Sequence, residues 1–137
     1  MKQPLILIID DDAHLTYFMS ERLRGEGYRV LCSESSEAGV ALAREHRPQL
    51  ILCDVMLPDV AGYDTVSALR SQPETAGVPV VLITGHPDAS QYEGEGKRMV
   101  LIKPFSHEVL VEVIKGTLAA KGHGKKPAAV AASGSRN

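Results

Sequence analysis

Short apolar runs recur along the chain and alternate with stretches of mixed polarity. The runs are Leu5–Ile9, Tyr28–Cys32, Leu50–Cys53, Val78–Ile83 and Met99–Ile102. Each is rich in Ile, Val or Leu and shows little alternation, which is typical of strands that are buried on both faces of a parallel sheet. The pattern therefore predicts five buried strands joined by crossover segments.

Most segments between these runs carry apolar residues at helical spacing. The expected inward-facing positions are Leu15, Phe18, Met19 and Leu23 in the first helix, Ala38, Ala41 and Leu42 in the second, Val66 and Leu69 in the third, and Leu110, Val113, Ile114, Thr117 and Leu118 in the last. Ser36 and Ser106 are the expected caps of the second and last helices. Gly25 or Gly27 is expected to end the first helix.

The alternation of strands and helices predicts an α/β fold, a doubly wound sheet with right-handed crossovers. Between Thr84 and Met99 the pattern is weak and includes Pro87, so we expect a short or frayed helix there. We place the domain at residues 1–121. Residues 122–137 are rich in Gly, Ala, Ser, Lys and Pro without periodicity, which predicts a flexible basic tail or linker.

The charge distribution favours some partners over others. The 137-residue chain has a formal net charge of −2, and residues 121–137 hold four bases and no acid, which leaves 11 bases against 17 acids elsewhere. An acidic body argues against direct nucleic-acid binding. We see neither a signal peptide nor a membrane-length apolar run, and we expect Cys32 and Cys53 to be buried small hydrophobes in a reducing cytoplasm.

Polar residues follow four of the predicted strands. Asp10 and Asp11 follow the first strand, Asp54 the third, Thr84 the fourth and Lys103 the fifth. In an open parallel sheet, ligands bind beyond the carboxyl ends of the strands, so we expect these side chains to converge. Any one of them alone is more often a helix cap or a solvated turn residue, but their convergence favours a shared site.

These residue types suit phosphoryl transfer. Clustered carboxylates repel one another unless a cation lies between them, and Mg²⁺ prefers oxygen ligands from carboxylates, water and phosphate. A carboxylate nucleophile can form an aspartyl phosphate. The charge on the transferring group is then neutralised by the metal on one side and by an ammonium and a hydroxyl on the other.

The sequence resembles bacterial two-component receiver domains across residues 4–120. The matching motifs are Ile8–Asp12, Asp54–Gly62, Ile83–Gly85 and Lys103–Phe105. The resemblance implies a flavodoxin-like fold, a five-stranded parallel sheet in the order 2-1-3-4-5 flanked by helices. Asp12 occupies a position at which the family is permissive, and we expect it to cap the first helix.

The resemblance also implies the roles of the acidic residues. Asp54 is expected to be the phosphorylation site and a Mg²⁺ ligand. Asp11 is expected to ligate Mg²⁺ directly and Asp10 through water, while the backbone carbonyl of Met56 supplies another ligand.

The phosphoryl-binding residues implied by the resemblance are Thr84 and Lys103. Thr84 is expected to bond a phosphoryl oxygen once Asp54 is modified, and Lys103 to pair with Asp54 or its phosphate, aimed by a cis Lys103–Pro104 bond. The expected supporting residues are Pro58, Gly62, Gly85 and Pro104.

The signalling surface departs from the family pattern. The position three residues before Lys103 is Val100, where the family often has Tyr or Phe. Because valine is small and stiff at χ1, it cannot fill the space that Thr84 vacates. We therefore expect the largest phosphorylation-dependent changes within residues 84–99, and we expect the partner to recognise this stretch.

The resulting hypothesis is a phospho-acceptor that promotes its own phosphorylation and dephosphorylation without being an enzyme in the usual sense. Its expected partners are a histidine kinase or phosphotransfer protein and a downstream protein target, with no membrane association and a monomer or weak dimer as the state. The chain could be a single-domain regulator or part of a hybrid histidine kinase. The alternative is a degenerate receiver that only binds proteins. A haloacid-dehalogenase-type hydrolase is disfavoured, because that class needs a second acid where this chain has Met56.

Overall fold

The computed structural model describes residues 3–60, 62–85, 99–122 and 131–132. The elements in chain order are β1 (Leu5–Ile9), α1 (Ala13–Gly25), β2 (Arg29–Ser33), α2 (Ser36–His46), β3 (Leu50–Asp54), α3 (Gly62–Arg70), β4 (Val80–Thr84), β5 (Met99–Ile102), α4 (His107–Gly122) and β6 (Ala131–Ala132). The predicted strands are found with their ends shifted by one or two residues at most. The helix predicted between Thr84 and Met99 falls on residues 86–98, which lie outside the described residues.

The strands form one parallel sheet in the order β2-β1-β3-β4-β5-β6. The predicted α/β fold and the strand order 2-1-3-4-5 are therefore confirmed. Strand β6 was not predicted: it pairs Ala131 with Val100 and Ala132 with Leu101, within the segment interpreted as a tail. Two alanines carry no apolar pattern from which a strand could be inferred.

Strands β1, β3 and β4 are buried at all five of their positions. They lie inside the sheet, and helices cover both faces, so every side chain meets an apolar surface. This arrangement explains why their sequences are continuous apolar runs rather than alternating ones. Edge strand β2 is different, since Arg29 and Cys32 on it are exposed.

Two apolar clusters fill the two sides of the sheet. The first joins the sheet to α1 and α4 through Ile6, Ile8, Met19, Leu23, Leu52, Ile83, Leu110 and Ile114, among others. The second joins it to α2 and α3 through Leu7, Ile9, Ala43, Ile51, Cys53, Val66, Leu69 and Leu82, among others. The predicted inward positions of α1, α3 and α4 lie in or against these clusters, apart from Phe18, which is 45% exposed, and Thr117, which is a buried polar residue.

Helix α2 packs differently from the prediction. Of the predicted inward positions, Leu42 packs against the second cluster, but Ala38 and Ala41 are exposed. The buried residues of the helix are Ser36, Gly39 and Ala43. A Cβ atom on Gly39 would lie 2.6 Å from Cδ1 of Ile9. The helix therefore approaches β1 more closely than a residue larger than glycine at this position would allow. The face of α2 that packs on the sheet is determined by the small size of its side chains and not by their hydrophobicity.

The helix caps agree with the sequence at two ends and disagree at one. The side chain of Asp12 accepts from the Leu15 N–H at 3.1 Å, and Ser106 Oγ accepts from the Val109 N–H at 3.1 Å. The N-cap of α2 is Ser35, not the predicted Ser36. Either serine could cap in a Ser-Ser pair, and tertiary packing decides between them, because the Ser36 hydroxyl is buried against α3.

The two cysteines have different environments. Cys53 is buried as predicted, but Cys32 is exposed and that prediction was wrong. Cys32 lies on edge strand β2, where its Sγ lies 3.3 Å from Ser20 Oγ of α1 and the residue is still exposed, which apolar content alone does not reveal. Among the described residues, no helix has the length and hydropathy that a membrane crossing would require.

Candidate functional site

The carboxyl ends of the strands bring the candidate residues together. Asp54 and Thr84 are the last residues of β3 and β4, while Asp10 and Lys103 each follow a strand directly. Sheet pairing extends to both of these residues: the Asp10 N–H donates to Ser33 O at 2.9 Å, and the Lys103 N–H donates to Thr84 O at 2.7 Å. Their side chains are thus carried by rigid backbone.

Three carboxylates form the centre of the site. One oxygen from each of Asp10, Asp11 and Asp54 can be chosen so that all three lie within 4.8 Å of one another. Asp10 is 2% exposed and Asp54 is 6% exposed, whereas Asp11 is open to solvent. Three negative groups at this spacing repel one another unless protons or a cation neutralise them.

Among the three carboxylates, Asp10 has the environment that most clearly disfavours a negative charge. Its Oδ1 accepts from the Asp12 N–H at 2.9 Å, but its Oδ2 is buried and has no hydrogen-bond partner in the described part of the chain. Burial, together with the nearby Asp54 carboxylate, raises the pKa of Asp10 to about 6, and the Asp12 N–H opposes this only in part. A buried, unpartnered carboxylate oxygen beside two other acids is a fitting ligand environment for a hard divalent cation.

Asp54 is held from two sides. Its Oδ1 accepts from the Met56 N–H at 3.1 Å, and its Oδ2 lies 3.8 Å from Lys103 Nζ. The Lys103–Pro104 peptide bond is cis, as the resemblance implies. The ammonium therefore lies beside the predicted acceptor.

The remaining predicted residues surround this centre. Thr84 is 2% exposed at the end of the strand next to β3. Met56 is 76% exposed, Gly85 and Pro104 are exposed, and Pro58 is exposed in the loop that leads to Gly62 at the start of α3. The structure thus brings Asp10, Asp11, Asp54 and Lys103 into one cluster, with Thr84 on the adjoining strand.

Asp59 is a residue that the sequence analysis missed. Its Oδ1 accepts from the Ser36 N–H at 2.9 Å and its Oδ2 accepts from the Glu37 N–H at 3.0 Å, both at the start of α2. These two bonds hold the pKa of Asp59 below its ordinary value. An acid after a proline in a loop was the available signal, but nothing in the sequence indicates which residues more than 20 positions away it contacts.

Comparison with known proteins places this geometry in a family. The sequence profile of the response regulator receiver domain matches residues 6–115. The chain is 33% identical to the protein PilH of Pseudomonas aeruginosa over 117 residues, which cover 83% of this chain and 97% of PilH. It is 35% identical to a probable transcriptional regulatory protein, TcrX of Mycobacterium tuberculosis, over 88% of this chain but only 52% of TcrX.

Solved structures give the same result. The chemotaxis response regulator CheY4 of Vibrio cholerae superposes with a TM-score of 0.78 at 26% identity and covers 83% of this chain and 98% of its own. The receiver domain of a sensor histidine kinase from Pseudomonas aeruginosa superposes with a TM-score of 0.76 at 27% identity, with coverages of 85% and 98%. That structure holds a magnesium ion in its active-site cleft.

Proposed function

This chain belongs to the response regulator receiver domain family, and from that premise we propose that Asp54 accepts a phosphoryl group in a Mg²⁺-dependent reaction. The observation that carries the proposal is the cluster of Asp10, Asp11 and Asp54 beside Lys103. Two-component receivers act as phospho-acceptors, so the proposal concerns which residues of this chain perform that role.

We propose that Asp10, Asp11, Asp54 and the backbone carbonyl of Met56 hold the metal. The unpartnered Oδ2 of Asp10 supports this ligand set, since a bound cation would offset the negative charge of this buried oxygen. When bound, Mg²⁺ supplies positive charge that offsets the carboxylates and the oxygens of the incoming phosphoryl group. The donor set consists entirely of oxygens, which is the preference of this ion.

The chain's own residues carry the transfer. An oxygen of Asp54 forms the new bond to phosphorus, and the bonding pair leaves with the donor group. The Met56 N–H orients the carboxylate through Oδ1, and the Lys103 ammonium neutralises charge on the opposite side. The Thr84 hydroxyl is the proposed partner of a phosphoryl oxygen, with Gly85, Pro58, Gly62 and Pro104 shaping the loops around the site.

We propose a histidine kinase or phosphotransfer protein as the phosphoryl donor and a protein as the downstream target, in the cytoplasm, with the chain a monomer or weak dimer. The chain covers nearly all of PilH but about half of the transcriptional regulators that it matches. Output through an attached domain is therefore compatible with the same receiver. We propose residues 1–121 as the receiver domain and residues 122–137 as a tail or linker, within which β6 (Ala131–Ala132) pairs with β5.

Intact mass after incubation with Mg²⁺ and acetyl phosphate tests the acceptor. The wild-type chain should gain the mass of one phosphoryl group, and Asp54→Asn should gain none, because an amide is not a competent nucleophile. Asp64→Asn is the matched control, since it removes the charge of an exposed aspartate on α3. Full-level phosphorylation of Asp54→Asn would contradict the assignment, and an unreactive wild-type chain would favour the alternative of a degenerate, protein-binding receiver.

A further inference from the structure

The loop between β3 and α3 is tied to a helix that carries none of the site residues. Asp59, within this loop, accepts hydrogen bonds from two successive backbone N–H groups, those of Ser36 and Glu37, at 2.9 and 3.0 Å. These donors belong to the first turn of α2, where N–H groups have no partner within the helix and the helix dipole favours negative charge. The carboxylate and the helix start are therefore matched in charge and in geometry.

A second contact fixes the same point of α2. The Thr65 hydroxyl donates to Ser36 Oγ at 2.7 Å, and both side chains are buried. Thr65 lies in α3, directly after the loop. The start of α2 therefore holds the loop through Asp59 and holds the helix that follows the loop through Thr65.

The tether lies close to the proposed metal site along the chain. Met56, whose N–H contacts Asp54 and whose carbonyl is a proposed ligand, precedes Asp59 by three positions. Between them, Leu57 packs against the second core cluster, and Pro58 restricts Leu57 to extended conformations. This short segment has few accessible backbone conformations. Fixing the position of Asp59 therefore restricts the positions that the Met56 carbonyl can adopt.

We propose that Asp59 is a positioning residue for the metal site: by binding the start of α2 it holds the Met56 backbone in place and raises the affinity for Mg²⁺. This inference rests on the proposed function. Helix capping alone does not account for Asp59, because α2 already has its own cap, with Ser35 accepting from the Ala38 N–H at 3.2 Å. Loss of Asp59 leaves that cap in place and releases the loop.

Calorimetric titration of the metal-free full chain with MgCl₂ tests the proposal. Asp59→Ala should weaken Mg²⁺ binding by about tenfold, at the lower end for residues that act on a metal through its ligands. Asp64→Asn, with the same loss of charge at an exposed site on α3, should bind like the wild type. A folded Asp59→Ala chain with wild-type affinity overturns the proposal.

Ser36→Pro approaches the same contact from the donor side, and Ser36→Ala, which loses the hydroxyl that Thr65 contacts but keeps the N–H, is its control. Proline at the first helical position lacks the N–H that Asp59 Oδ1 accepts, and it fits there because Ser35 is extended, with φ −140° and ψ 161°. This variant should also weaken Mg²⁺ binding, and combining it with Asp59→Ala should give less than the product of the two separate effects. Wild-type affinity in a folded Ser36→Pro chain, or fully multiplicative effects, would contradict a shared contact.

Different results refute the proposed function and the role of Asp59. A wild-type chain that neither binds Mg²⁺ nor becomes phosphorylated refutes the proposed function itself. A wild-type chain that does both, alongside an Asp59→Ala chain with unchanged Mg²⁺ affinity, refutes only the role of Asp59. Circular dichroism of each variant confirms that the folded chain is being titrated.

Discussion

The interiors of the central strands and their carboxyl ends are built on opposite principles. Within β1, β3 and β4 all positions before the last are aliphatic or Cys53, and all are buried. The carboxylates follow these apolar residues directly, Asp10 after Ile9 and Asp54 after Cys53, and both are buried as well. The interiors supply the hydrophobic free energy of folding, whereas the ends oppose it by gathering like charges. Stability and chemistry are thus separated along the strand axis by a single residue.

The largest effect on stability is expected in the strand interior. Leu52, two residues before Asp54, is fully buried in the first core cluster. Leu52→Ala should lower the free energy of unfolding by about 2–5 kcal/mol, since it removes apolar contacts and leaves a cavity. Urea denaturation measures this, with Asp54→Asn as the comparison from the strand end. A loss at Asp54→Asn that equals the loss at Leu52→Ala would remove the contrast between the two regions.

A substitution at the strand end should increase the stability of the metal-free chain instead of lowering it. Asp10→Asn removes one of the clustered buried charges, so it should stabilise the metal-free chain by about 1–2 kcal/mol at neutral pH, while it weakens Mg²⁺ binding. Denaturation in the presence of a chelator gives the stability and calorimetry gives the affinity.

The pH dependence of this difference follows from the raised pKa of Asp10, about 6 in the folded chain against 3.8 for an ordinary aspartate. The wild type is destabilised above pH 6 and recovers as the pH falls and Asp10 takes up its proton. The advantage of Asp10→Asn should therefore shrink between pH 6 and pH 4. A variant that is less stable than the wild type at pH 7 without metal would contradict the view that the charges at the strand ends oppose folding.

The smallest expected effect concerns Asp59, an acid near the strand ends that favours the folded state. Its pKa is lowered by the Ser36 and Glu37 N–H groups, so its contribution is present above the ordinary aspartate pKa and is lost as the pH falls through the lower folded value. Asp59→Asn should therefore make the acid limb of the stability profile shallower. Parallel acid limbs for the variant and the wild type, measured by thermal unfolding from pH 5 to pH 2, would argue against it.

The two regions also differ in how far the sequence predicts them. The continuous apolar runs identify the strand interiors, because a strand that is covered on both faces needs apolar side chains at every position. The convergence of Asp10, Asp54 and Lys103 follows from topology, since the carboxyl ends of parallel strands share one edge. Family resemblance adds the strand order and the cis Lys103–Pro104 bond.

Features that depend on tertiary contacts were not predictable. The exposure of Cys32 results from the edge position of β2, and the choice of Ser35 over Ser36 as a cap results from the hydroxyl contact with Thr65. The inner face of α2 is set by the close approach of Gly39 to Ile9, although other positions of the helix carry residues that are more hydrophobic than glycine. Asp59 contacts residues 22 and 23 positions away, a pairing that local pattern cannot reveal.

Identification of the modified residue distinguishes Asp54 from every other acid as the phosphoryl acceptor. After incubation with Mg²⁺ and acetyl phosphate, borohydride reduces an aspartyl phosphate to homoserine, which peptide mass spectrometry locates in the sequence. Homoserine is expected at position 54 only, and it should depend on Mg²⁺ and be absent from Asp54→Asn. Homoserine at Asp10, Asp11 or another acid in place of position 54, or equal labelling without Mg²⁺, would contradict the assignment of Asp54 as the phosphoryl acceptor of this receiver.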